Sequence, residues 1–141
     1  MSSSVNGAAE LPWPAFVFGA LFAMHSHLFG EVMDIGPDRS SGRRTTATEI
    51  GAVPSKLLIA AILCVESALV WWYFRDLEIA VFLLAGALWF LADAAWLWRD
   101  SAYSPQAMKL FMWAWNGAAL LGILWDYRSA SLTGVRPVAG L

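Results

Sequence analysis

Four long apolar runs constrain this chain more than any other feature. They cover Trp13 to Met33, Leu57 to Phe74 (LLIAAILCVESALVWWYF), Ile79 to Trp98 (IAVFLLAGALWFLADAAWLW) and Leu110 to Tyr127. Each is roughly 18–21 residues long, and a bilayer core of about 30 Å needs about 20 helical residues. A soluble four-helix bundle would show a polar side on each helix. These runs are apolar nearly all round. Trp13, Trp71, Trp72, Tyr73, Trp96, Trp98, Trp125 and Tyr127 gather near the run ends, as in an interfacial aromatic belt. The expected fold is therefore an all-α membrane protein, a four-transmembrane-helix bundle with a polar intramembrane cavity.

Punctuation divides the chain. Residues 1–12 read as an N-terminal tail, 13–127 as the four-helix transmembrane domain and 128–141 as a C-terminal tail. The helices are placed at about 13–34, 55–74, 78–98 and 105–127. Pro12 and Pro14 open the first, Gly36-Pro37 closes it, and Pro54-Ser55 opens the second. Arg75 to Glu78 is short enough for a tight antiparallel hairpin, and Ser104-Pro105 reads as N-cap and first residue of the fourth helix. The stretch GPDRSSGRRTTATEIGAVPSK reads as a long polar loop. The first 16 residues lack Lys and Arg, so they make a poor secretory signal.

Composition excludes several classes. The chain is 59% hydrophobic with a formal net charge of −2, which suggests no nucleic-acid partner. Its single cysteine, Cys64, permits no internal disulfide. No dense His/Cys spacing supports a metal site. Cations concentrate in loops one and three (Arg39, Arg43, Arg44, Lys56, Arg99, Lys109) against Arg75, Arg128 and Arg136 on the other side. The positive-inside rule then puts loops one and three in the cytosol.

Ionisable residues within a span cost roughly 2.5–3.5 kcal/mol each on insertion scales, so each needs an account. The first run carries His27 and Glu31, the second Glu66, the third Asp93 and the fourth Asn116. Counted from the loop-one and loop-three ends, His27, Glu66, Asp93 and Asn116 lie roughly 9–15 Å deep at 1.5 Å per residue. One polar layer suggests one shared cavity. His27 and Glu31 share a face at i,i+4, with Asp34 continuing it, whereas His25 points nearly the opposite way, toward the interface. Trp89 and Trp96 flank Asp93; Tyr73 shares a face with Glu66, and Trp113 with Asn116. These aromatics are the expected substrate-binding walls. Against this stands the bland reading that Asn and Asp in such helices only hydrogen-bond to neighbouring helices.

The order of these residues resembles the emopamil-binding protein (EXPERA) family, which includes sterol Δ8–Δ7 isomerase and the sigma-2 receptor. The resemblance rests on His-Leu-Phe-Gly-Glu (27–31), the Glu of CVESALVWWYF, the Asp of ADAAWLWRD and the Asn of FMWAWNGAALLGILW. It covers about Phe16 to Tyr127. It implies a lipid-accessible cavity whose catalytic residues fall on His27, Glu31, Glu66, Asn116 and Asp93. Where the isomerase has a Trp one turn after its Asn, this chain has Ala119.

The implied chemistry shifts a double bond in a sterol or other isoprenoid. A proton reaches one alkene carbon, a carbocation forms, and a proton leaves nearby. His27 and Glu31 would deliver the proton, and Glu66, held by Asn116, would stabilise the cation. Trp89, Trp96 and Trp113 could add cation–π attraction. Neither metal nor organic cofactor is needed. The expected partners are the lipophilic substrate and membrane lipid, with a homodimer left open, and the expected location is the endoplasmic reticulum. Two alternatives remain at this stage: a non-catalytic sterol- or lipid-binding protein of sigma-2 type, and a structural membrane subunit.

Overall fold

The computed structural model describes residues 12–101, 103–114 and 117. Among them every regular element is helical: α1 (Trp13–Met33), α2 (Ile35–Ser40), α3 (Thr46–Ile50), α4 (Ala52–Leu69) and α5 (Leu77–Ala95). A π-helical turn, Val70–Phe74, continues α4. Residues 105–114 form a further helical stretch, α6. Three helices are long and apolar enough to cross a membrane: Trp13–Met33, Ala52–Phe74 and Leu77–Ala95. The remainder of the expected fourth span lies outside the described residues.

Contacts divide the chain into two units, Met1–Ala102 and Tyr103–Leu141. In the first, α4 packs on α5 and on α1. Its core stripe is Ile59, Leu63, Glu66 and Val70, an i, i+4, i+7, i+11 series on one helix face. Opposite it α5 presents Ala80, Leu83, Ala87 and Phe90. The small residues Ala60, Ala80 and Ala87 let the backbones approach, which matters where burial from water is not the driving force. Ser67 adds a buried hydrogen bond, its hydroxyl donating to the Ala80 carbonyl at 2.7 Å. From α1 come Leu28 and Val32, and Phe29 meets Phe90 edge-on at 5.3 Å.

The α4–α5 hairpin is as tight as expected. Arg75 turns in the left-handed region (φ 56°), and Asp76 caps α5 by accepting from the Ile79 N–H at 3.0 Å. Trp13 and Tyr73 meet edge-on at 5.7 Å, so the start of α1 lies beside the end of α4.

Several boundaries differ from expectation. Gly36-Pro37 does not close α1, which ends at Met33; both residues sit in the first turn of α2. Proline is tolerated there because first-turn N–H groups have no helical partner. Likewise Pro54 lies inside the first turn of α4, whose start at Ala52 is set by Gly51 at φ 93°. The polar loop is not irregular but carries α2 and α3. Thr45 and Thr48 build a reciprocal capping box at the start of α3. Helix α5 stops at Ala95, short of the expected residue 98, because Asp93 captures the chain that follows.

In the second unit the Ser104 hydroxyl accepts from the Ala107 N–H at 3.1 Å, the expected N-cap. Tyr103 packs edge-on against Phe111 at 5.4 Å.

Candidate functional site

The ionisable residues expected within the spans of the first unit form three pairs, and one of them is buried with a carboxyl oxygen that lacks a hydrogen bond. That pair is His25 with Glu66. The His25 Nδ1 lies 3.1 Å from Glu66 Oε1, with side-chain exposures of 4% and 0%. Glu66 occupies the core stripe of α4, and His25 the matching stripe of α1 with Leu28 and Val32. Phe22 packs edge-on against the imidazole at 5.1 Å. Glu66 Oε2 is buried without a hydrogen-bond partner, the one such side-chain atom among the described residues. Buried polar atoms are nearly always satisfied, so an orphaned carboxyl oxygen asks for an explanation.

This corrects the expected placement of the histidines. His25 was expected at the interface and is the buried partner; His27 was expected in the cavity, and its side chain is 81% exposed. The two lie about 200° apart around α1, so one faces the bundle when the other faces out. A stretch apolar on every side gives no amphipathic signal to choose between them. The i, i+3, i+7 series His25, Leu28, Val32 was the available clue.

The second cluster holds His27 and Glu31, 3.1 Å apart. Glu31 Oε2 also accepts from the Ala47 N–H at 3.0 Å. Ala47 is the second residue of α3, so Glu31 satisfies one of the orphan donors at that helix start. The carboxylate ties loop one to α1. Both residues line an open polar cleft of about 810 Å³ together with Ser26, Gly30, Asp34, Asp38, Arg43, Arg44, Thr45, Thr46 and Glu49.

The third cluster is the fully buried pair Lys56–Asp93, Nζ to Oδ1 3.0 Å. Lys56 also donates to the Arg99 carbonyl at 2.9 Å, and Asp93 Oδ1 accepts from the Trp98 N–H at 3.2 Å. Asp93 thus ends α5 and fastens it to the start of α4. Lys56, expected as a loop cation, lies inside the bundle, leaving a loop excess of five against three.

The single polar layer therefore does not form. Lys56 does not mark the loop end of its span but pairs with Asp93 inside the bundle. Ten residues of α4, about 15 Å, separate that pair from Glu66. Buried Ile59, Ala60, Ile62 and Leu63 fill the interval.

The expected aromatic walls face outward. Trp96 is 80% exposed and Trp113 78%; Tyr73 and Trp89 are also exposed. Trp89 stacks at a tilt on Trp98, centroids 6.3 Å apart. Asn116 lies outside the described residues. Among the described residues no group of three or more His, Cys, Asp or Glu could hold a metal ion.

Comparison with protein-family models, with curated proteins and with solved structures finds no match.

Proposed function

We propose that this chain is an integral-membrane, cofactor-independent isomerase or cyclase acting on a sterol or other isoprenoid, with Glu66 and His25 as its acid–base pair. One observation carries the reading: a carboxyl at 0% exposure, hydrogen-bonded through one oxygen to an imidazole and unpartnered at the other. An intramembrane ionisable residue is costly and is the default marker of function in such a chain.

The chemistry uses the pair as follows. Protonated Glu66 gives its proton to one alkene carbon, whose π electrons form the new C–H bond. The adjacent carbon becomes a cation beside the carboxylate. Loss of a proton from the next carbon to Glu66 or His25 re-forms the double bond one position along. No electrons are gained or lost. General acid–base catalysis of this kind contributes about 10²–10⁴-fold. His25, with a ring nitrogen on either side, is suited to return the pair to its starting protonation state.

Relative to the expected site, Glu66 stays at the centre, His25 takes the place given to His27, and Asp93 and Glu31 become structural. The role expected of Asn116 falls on a residue outside the described ones. The sigma-2-like alternative gains one argument: Glu31, expected to help deliver the proton, is engaged by the N-terminus of α3. A buried carboxylate would equally hold a lipophilic cation without turnover.

The deciding experiment expresses the chain in cells lacking sterol Δ8–Δ7 isomerase and profiles their sterols and other isoprenoids. The reading expects a shifted double bond with wild type and none with Glu66→Gln. An unchanged profile, with lipophilic amines still bound through Glu66, would leave the binding protein.

A further inference from the structure

The open cleft at the end of α1 lies apart from the buried pair. Its residues Ser26, His27, Gly30 and Glu31 occupy the last two turns of a membrane-length helix, on the side away from His25, and Asp34 is the C-cap of that helix. If that helix spans a bilayer, this is where the chain meets the headgroups. Gly30 forms part of the floor, and a Cβ there would meet nothing within 4 Å. The floor is therefore open space rather than a packing requirement.

The cleft's charges are not all spent internally. Glu31 is used by His27 and Ala47, and Arg44 pairs with Glu49 at 2.7 Å. Arg43 approaches Asp38 only to 3.7 Å, beyond hydrogen-bond length, and is largely exposed. Its guanidinium keeps donors in hand. Asp34 is exposed and makes no side-chain hydrogen bond or ion pair among the described residues. One available carboxylate and one available guanidinium thus line the same cleft, with the Thr46 hydroxyl beside them.

We infer that the cleft binds the headgroup of an ethanolamine phospholipid, Arg43 taking the phosphate and Asp34 the ammonium. A guanidinium fork matches phosphate oxygens bidentately. An ammonium has three N–H donors for a carboxylate, whereas the quaternary ammonium of choline has none. The cleft therefore distinguishes the two zwitterionic headgroups. A purely anionic headgroup would meet Asp34 as a like charge. The inference rests on the membrane reading of the chain but not on any catalytic activity.

The test is thermal unfolding of the full chain in detergent micelles, titrated with short-chain phosphatidylethanolamine, phosphatidylcholine, phosphatidylglycerol and soluble phosphoethanolamine. Phosphatidylethanolamine is expected to raise the melting temperature at about tenfold lower concentration than phosphatidylcholine, the gain of a charge-assisted hydrogen bond. Asp34→Asn should bring the two lipids level, and Gly30→Leu, which fills the floor, should remove both responses. Glu66→Gln should leave the titrations unchanged, so failure of the isomerase reading leaves this result standing. Equal responses to the two zwitterions in wild type, a preference surviving Asp34→Asn, or a stronger response to phosphatidylglycerol would each overturn the inference. Saturation by phosphoethanolamine alone would overturn the lipid as its source.

Discussion

His25 on α1 and Glu66 on α4 form a buried pair 3.1 Å apart across the bundle, while His27, two residues on, faces out. Removing the imidazole leaves the buried Glu66 carboxyl without its one hydrogen bond, which costs about 1–3 kcal/mol. His25→Ala and Glu66→Ala should each destabilise the chain in mild detergent, and the double variant should lose less than the sum. A double-mutant cycle checks this, with coupling of about 0.5–3 kcal/mol expected. Additive losses would show that the pair makes no net interaction.

The Lys56–Asp93 pair should behave as a structural lock. Asp93→Ala removes the counter-charge of a buried ammonium and should cost about 3–5 kcal/mol, whereas a Lys56→Met, Asp93→Leu double variant should recover most of that. Thermal unfolding of the three proteins measures it. Loss of turnover in the double variant at wild-type stability would instead return Asp93 to the catalytic group.

Glu31 should matter to loop one more than to turnover. Glu31→Ala removes the acceptor at the start of α3 and should cost about 0.5–2 kcal/mol, as cap deletions do. Amide hydrogen exchange should then quicken at residues 46–50. Glu31→Gln keeps an oxygen in reach of the Ala47 N–H and should retain both protection and most activity. Inactive but well-protected Glu31→Gln would make Glu31 an acid in the reaction.

Cys64 sits two residues before Glu66 but faces outward from α4. In membranes it should resist charged, water-soluble thiol reagents, which do not enter hydrocarbon, and it should react once the protein is denatured. Rapid labelling in intact vesicles would argue that this face of α4 meets water.

The sequence alone determined that the chain is helical, where three membrane-length helices run, and that Glu66 is an anomaly needing an account. Length, hydropathy and caps such as Asp76 and Ser104 are local properties, so they survive without knowledge of neighbours. Which histidine serves Glu66 is not local. It depends on the rotation of α1 about its axis, and a helix apolar all round carries no moment to reveal that rotation. The tertiary structure decided it by packing His25, Leu28 and Val32 inward. The same holds for Lys56. In sequence it is a flanking cation, and only the meeting of α4 with the end of α5 shows it as the partner of Asp93. Glu31 looked like an acid in reserve until loop one folded back and placed the Ala47 N–H upon it. A side chain's type is written in the chain, but its partner is set by which helix faces converge.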